Sequence, residues 1–73
     1  QYTHLSGLIR DPVDAAVPEA SIQIVNEDTG FRRSTTTRPD GGYVIAALHP
    51  GLYKITVRKE GFRTLVRFGI KLD

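Results

Sequence analysis

His4 and His49 are the only imidazoles in a chain of 73 residues that contains no Cys, Met or Trp. Acid–base or metal chemistry would have to pass through them. Neither stands in an H-E-x-x-H spacing, and no thiolate is available to complete a zinc site. His49 precedes Pro50 and reads as a solvated turn residue. Ser6, Ser21 and Ser34 lack the Gly-x-Ser-x-Gly elbow that exposes a nucleophilic serine. Asp11, Asp14, Glu19 and Asp40 offer oxygen ligands for calcium, but their spacing matches no calcium loop, and turn chemistry accounts for Asp11 and Asp40. No phosphate-cradling glycine loop is present, and Asn26-Glu27-Asp28 is not a glycosylation acceptor. The expectation is a non-enzyme with no catalytic residue, no metal ligand and no cofactor.

What remains is cationic. The net charge is only +2, but residues 1–30 carry −4 and residues 31–73 carry +6. If the halves pack as neighbouring strands, much of this becomes cross-strand pairing, each pair contributing roughly 0.2–1 kcal/mol. The functional reading of the same charges is a basic face for an acidic partner. Two groups of arginines are the candidate binding residues. Arg32, Arg33 and Arg38 lie in the segment 31–38, polar on both faces and read as an edge strand. Charges there first protect a free edge from unwanted pairing, and second mark a place where a partner strand can add. Arg58, Arg63 and Arg67, with Tyr2 or Phe31, offer a surface for a sugar or an anionic glycan. Such a surface needs exposed aromatic rings, whereas most of the six aromatics are in phase with the expected core. The cations are dispersed along alternating strands and not clustered with aromatics, which argues against nucleic acid.

The elements that must position these residues are strands. Gly30, Gly41, Gly51 and Gly61 are spaced 11, 10 and 10 residues apart, the strand-plus-turn rhythm of a small sandwich or barrel. Asp28-Thr29-Gly30 reads as a short hairpin loop, Arg38-Pro39-Asp40-Gly41-Gly42 as a turn, and Pro50-Gly51 as a type II pair. Between turns the pattern has period two: Ile22 and Ile24 alternate with Gln23 and Val25, and Tyr53, Ile55 and Val57 with Lys54, Thr56 and Arg58. Val66, Phe68, Ile70 and Leu72 alternate in the same way with Arg67, Gly69 and Lys71. No window holds a helical stripe. Strands are expected over 3–10, 20–27, 31–38, 42–48, 52–59 and 63–72, with a short seventh near Ala16. The connection 11–19 crosses between sheets, as a Greek-key sandwich requires. The expected core is Ile9, Val17, Ile22, Ile24, Tyr43, Ile45, Leu48, Tyr53, Ile55, Val57, Phe62, Phe68, Ile70 and Leu72, with Leu48 turned inward by a bend before Pro50.

Residues 1–73 make one domain. No apolar run is long enough for a spanning helix, so direct membrane insertion is not expected. A small all-β domain without a disulfide leans on neighbours, so the chain is expected to be an excised part of a longer protein, its terminal strands docking against adjoining domains.

The series Gly7-Leu-Ile-Arg-Asp11, Val17-Pro-Glu-Ala20, Asn26, Thr29-Gly30, Thr37, Gly42-Tyr43, Leu48-His-Pro-Gly-Leu-Tyr53 and Gly61-Phe62 resembles the carboxypeptidase regulatory-like domains, which are similar to Cna B-type and transthyretin-like modules. The wording around 17–26 and 29–43 looks most like the N-terminal modules of bacterial outer-membrane TonB-dependent, Oar-like receptors, with surface-protein stalk repeats next. The resemblance implies an all-β, two-sheet Greek-key sandwich of about seven strands. It also implies a site outside the cytoplasm, in the periplasm, outer membrane or cell surface, and a non-catalytic role as spacer or protein-interaction module. The alternative is a carbohydrate-binding module of a secreted or outer-membrane protein. Partners would be neighbouring domains of the same chain, or protein or glycan at the cell surface. Some relatives form a Lys–Asn isopeptide bond with the Lys on the first strand; residues 1–20 here hold no Lys, so no isopeptide bond is expected.

Overall fold

The computed structural model describes residues 2–73. It holds six strands: β1 (Thr3–Leu8), β2 (Ser21–Asn26), β3 (Arg32–Thr36), β4 (Gly42–Leu48), β5 (Gly51–Arg58) and β6 (Leu65–Leu72). They form a four-stranded sheet in the order β3-β2-β5-β6 and a two-stranded sheet of β1 and β4. All pairings are antiparallel. The chain crosses between sheets after β1, β3 and β4 and stays within one sheet in the hairpins β2–β3 and β5–β6. This is the sandwich that the period-two pattern predicts. The expected seventh strand near Ala16 is only an isolated bridge between Arg10 and Ala16. The segment around it is too bent to pair further. Asp11 Oδ1 accepts from the Val13 and Ala15 amides, and Asp14 takes a φ of 67°.

The core is built from alternate residues on facing strands. Ile22 and Ile24 of β2, Tyr53, Ile55 and Val57 of β5, and Ile45 and Leu48 of β4 are buried, with Val17 and Ala20 from the preceding loop. Each large aliphatic removed from water contributes roughly 1.5–3 kcal/mol. Ile45 and Leu48 are three apart, yet both point inward. A bulge explains it: Leu5 pairs with Ile45 but Thr3 with Leu48, and Ala47 takes a φ of 60°. This is the inward bend expected before Pro50. The corner after it is not the predicted type II turn, since Gly51 has a φ of 156° where that turn needs about 80°. The Tyr53 hydroxyl closes the corner by donating to the His49 carbonyl at 2.6 Å.

A second bulge overturns part of the expected core. Ile55 pairs with Arg67 and Tyr53 with Ile70, so β6 carries one extra residue, and Gly69 sits there at a φ of 68°. The alternation therefore changes phase within the strand. Arg67 falls opposite an inward residue, while Phe68 turns outward and is 70% exposed. Phe62 also misses the core at 49% exposed, because it sits in a turn whose amide donates to the Lys59 carbonyl.

One buried polar side chain ties the crossing loop to the sheet. Thr37 Oγ1 accepts from the Ala20 amide at 2.8 Å and donates to the Val17 carbonyl at 2.7 Å. The Thr37 amide and carbonyl bond Ala20 and Glu19 in turn. At 4% exposure no water can replace these bonds. Thr37→Val leaves a buried amide and a buried carbonyl unpaired and is expected to cost about 2–4 kcal/mol in a urea titration, whereas Thr37→Ser is expected to recover most of it. A second comparison checks the backbone. A Cβ on Gly41 would stand 2.6 Å from the Ile9 carbonyl oxygen, while one on Gly69 would meet nothing within 4 Å, both residues having positive φ. Gly69→Ala is expected to lose only the roughly 1–2 kcal/mol of left-handed strain. Gly41→Ala should lose clearly more, or not fold, in the same titration.

Candidate functional site

The six candidate arginines do not converge. On β2, Val25 and Ser21 face away from the core, so Arg32, opposite Val25 on β3, and Arg58, opposite Ser21 on β5, lie on the outer face of the four-stranded sheet. Arg33 pairs with inward Ile24. Its Nη1 donates to the Ala46 carbonyl of β4 at 3.0 Å, and its guanidinium lies 5.3 Å from the Phe31 ring centre. It clips one sheet to the other. Arg38 belongs to the β3–β4 turn, with its Nε 3.6 Å from Asp40 Oδ1. Asp40 is held below its ordinary carboxylate value, first by the amide of Gly42 donating to it and then by the Arg38 charge. Arg63 and Arg67 stand at a cleft on the opposite side of the sheet from Arg58. The alternation of strands separates the residues, and the Gly69 bulge moves Arg67 away from Arg58.

Two surfaces result. The outer face of the four-stranded sheet carries a shallow polar depression lined by Ser21, Gln23, Ser34, Thr56 and Arg58. On the same face Phe68 lines a separate depression with Val25, Glu27 and Lys54, whose Nζ lies 5.9 Å from the ring centre. Tyr2, Phe31 and Phe62 are exposed as well, so the expectation that most aromatics lie in the core is corrected. Only Tyr53 is fully buried, and Tyr43 is half-buried.

The second surface is the cleft between the sheets. Leu5, Ile9, Tyr43, Ile55, Val57, Leu65, Arg67 and Ile70 line a cavity of about 310 Å³. A second cavity of about 130 Å³ shares Ile9, Val57 and Leu65 with it and adds Arg10, Lys59 and Arg63 at its end. The ring of Tyr43 lies against Gly7, where a Cβ would come within 2.9 Å of it. Burial pushes the Tyr43 hydroxyl's pKa up. The cleft escapes a reading by pattern because β6 looks like a strictly alternating strand. Its one signal is Gly69, since an isolated glycine within a strand marks a bulge.

The groups that chemistry would use are scattered. The His49 ring lies 5.0 Å from that of Tyr2 in a tilted contact, and His4 points outward from β1. Among the described residues no three His, Asp or Glu side chains gather as a metal site. Lys54 lies on the outer face over Phe68, and Lys71 pairs loosely with Asp73 at 3.9 Å in solvent.

No curated protein and no solved structure matches the chain significantly. A family model does: the carboxypeptidase regulatory-like domain matches residues 4–73, nearly the whole sequence, and the chain belongs to that family.

Proposed function

We propose that this domain is a non-catalytic module of a larger cell-envelope or surface protein, lying outside the cytoplasm and acting as a spacer or protein-interaction domain. Its first partners are neighbouring domains of the same chain. The observation that carries the reading is how the buried polar groups are used. Asn26 Oδ1 accepts from the Asp28 and Thr29 amides to hold the β2–β3 turn, and Thr37 holds the crossing loop. Among the described residues no buried side-chain nitrogen or oxygen lacks a partner. Catalysis needs polar groups held ready for a substrate, whereas these are occupied in holding turns. The family's β-sandwich and its resemblance to receptor-associated modules support the location. The spread of arginines over both faces of one sheet supports a protein partner over nucleic acid. Fractionation of cells expressing the full-length protein, with protease applied to intact and to permeabilised cells, tests the location. Recovery in the envelope fraction is expected, and a purely cytosolic protein overturns the reading.

A carbohydrate-binding role is the second reading, favoured by one observation. Phe68 presents an exposed ring on the same sheet face as a row of hydroxyl and amide side chains, Ser34, Gln23 and Thr56. Sugars stack on such rings and hydrogen-bond to such rows. Calorimetric titration with soluble polysaccharides separates the readings. The interaction module is expected to give no saturable heat. Saturable binding that Phe68→Ala abolishes, with stability unchanged within about 0.5 kcal/mol, establishes the sugar site instead.

A further inference from the structure

We infer that the outer face of the four-stranded sheet docks an acidic, extended segment of a partner protein, laid along β5 with carboxylates at residues four apart. The inference rests on the reading of the domain as a protein-interaction module and names the face and the chemistry of the segment it takes.

Strand register builds the face. Ser34, Gln23 and Thr56 stand side by side on β3, β2 and β5 as a row of hydroxyl and amide groups. Arg32, Val25 and Lys54 form the next row on one side, and Ser21 with Arg58 the row on the other. Cations therefore flank an uncharged row, and Lys54 and Arg58, four residues apart on one strand, are separated by about 14 Å at roughly 3.4 Å per residue. No acidic residue stands in any of the three rows. Glu27 lines the neighbouring depression, and its carboxylate accepts from the Gly69 amide at 2.8 Å.

The cross-strand pairing expected of the oppositely charged halves is not found here. The three ion pairs among the described residues are local: Arg10 with Asp14, Arg38 with Asp40 and Lys71 with Asp73. Arg32, Lys54 and Arg58 take part in none of them. β5 lies between β2 and β6, so its cations do not guard an edge. The row between them is equally unused. Among the described residues no side-chain hydrogen bond of the domain involves Ser34, Gln23 or Thr56. These three strands lie within residues 21–58. A further strand of the chain would pair edgewise, in the plane of a sheet, and leave this face bare.

Charge and spacing together select the occupant. An extended segment rises per residue as β5 does, so its side chains at i and i+4 point the same way at the spacing of Lys54 and Arg58, while i+2 meets the uncharged row. Carboxylates at i and i+4 then answer the two cationic rows, and a hydroxyl at i+2 bonds to Thr56 or Gln23. Val25 and the exposed ring of Phe68, which lies 5.9 Å from Lys54 Nζ, take apolar side chains of the same segment. An acidic polysaccharide repeats its charges with the length of its sugar rings and has no such register with a strand.

The test uses the isotope-labelled 73-residue chain and capped peptides of about nine threonines and valines, long enough to span β5. One peptide has two aspartates four residues apart, a second has two adjacent aspartates, and a third has asparagines in place of the spaced pair. The spaced peptide is expected to shift the amide resonances of Gln23, Lys54, Thr56 and Arg58 saturably, with an affinity that falls as salt is raised. The adjacent pair is expected to bind about two- to fivefold more weakly, the range for one exposed ion pair, and the asparagine peptide more weakly still. Arg58→Gln and Lys54→Gln, both outside the core, should each weaken the spaced peptide by a similar factor and erase its advantage over the adjacent pair. Arg67→Gln, on the other side of the sheet, should change nothing. No saturable shift at millimolar peptide overturns the inference, as does equal affinity for the spaced and adjacent pairs or indifference to Arg58. Binding at another face overturns it while leaving the interaction-module reading in place. Polygalacturonate that shifts the same resonances at lower concentration than any peptide makes an acidic glycan the occupant and also overturns it. A cytosolic location of the full-length protein would strike the broader reading independently of any of these results.

Discussion

In a two-layer β domain each side chain takes its face from a count of residues along the strand, and one extra residue reverses that count for everything beyond it. Two such slips shape this molecule. At Ala47 the extra residue turns Leu48 inward, where it joins Ile45 and Tyr53 in the core. At Gly69 the extra residue sends Phe68 to solvent and leaves Arg67 opposite Ile55. The first slip adds a large aliphatic to the centre. The second gives the cleft its charge and the outer face its aromatic ring, so both candidate surfaces follow from the same bulge. Glu27 supports that bulge through its carboxylate, which accepts the Gly69 amide at 2.8 Å.

The loop between β1 and β2 shows how the domain closes its core without a disulfide. It buries Val17 and Ala20 while forming no strand, so its backbone groups need partners from elsewhere. The Ile9 amide donates to the Gly41 carbonyl and the Val17 amide to the Ile9 carbonyl, while Thr37 satisfies the groups at Val17 and Ala20. The close approach of Gly41 to Ile9 is part of the same fastening, which is why that glycine has no room for a Cβ. Positive φ values at Asp14 and Glu19 are the strain that remains, on the order of 1–2 kcal/mol each. The loop holds because the bonds around it are out of reach of water.

Much of this was legible in the residues. Alternation in Ile22, Ile24, Tyr53, Ile55 and Val57 defines the inner faces of β2 and β5, and Gly30 and Gly41 lie in turns where the spacing predicts them. These features are local, set by side-chain period and turn chemistry. The misses come from tertiary register. A bulge is one residue in length and leaves the composition of β6 unchanged, so Phe68 reads as core and Arg67 as surface. The seventh strand near Ala16 reads well from Ala16 and Val17, but Asp11 bonds its neighbours into a turn and limits the pairing to one bridge. The candidate arginines were legible as residues and not as a site. Nothing in a one-dimensional pattern says that Arg33 reaches across to β4 while Arg58 and Arg67 face opposite ways.

The position of Arg67 also constrains what can ever close the cleft. While the cleft is open its guanidinium keeps its water, and the exposed faces of Leu65 and Ile70 cost the domain apolar burial. Covering the cleft with a purely apolar strand would recover that burial but strip the water from an unpaired charge, a penalty of several kcal/mol that exceeds the gain from two or three aliphatic side chains only partly covered. A strand with a carboxylate at the right place gains both terms.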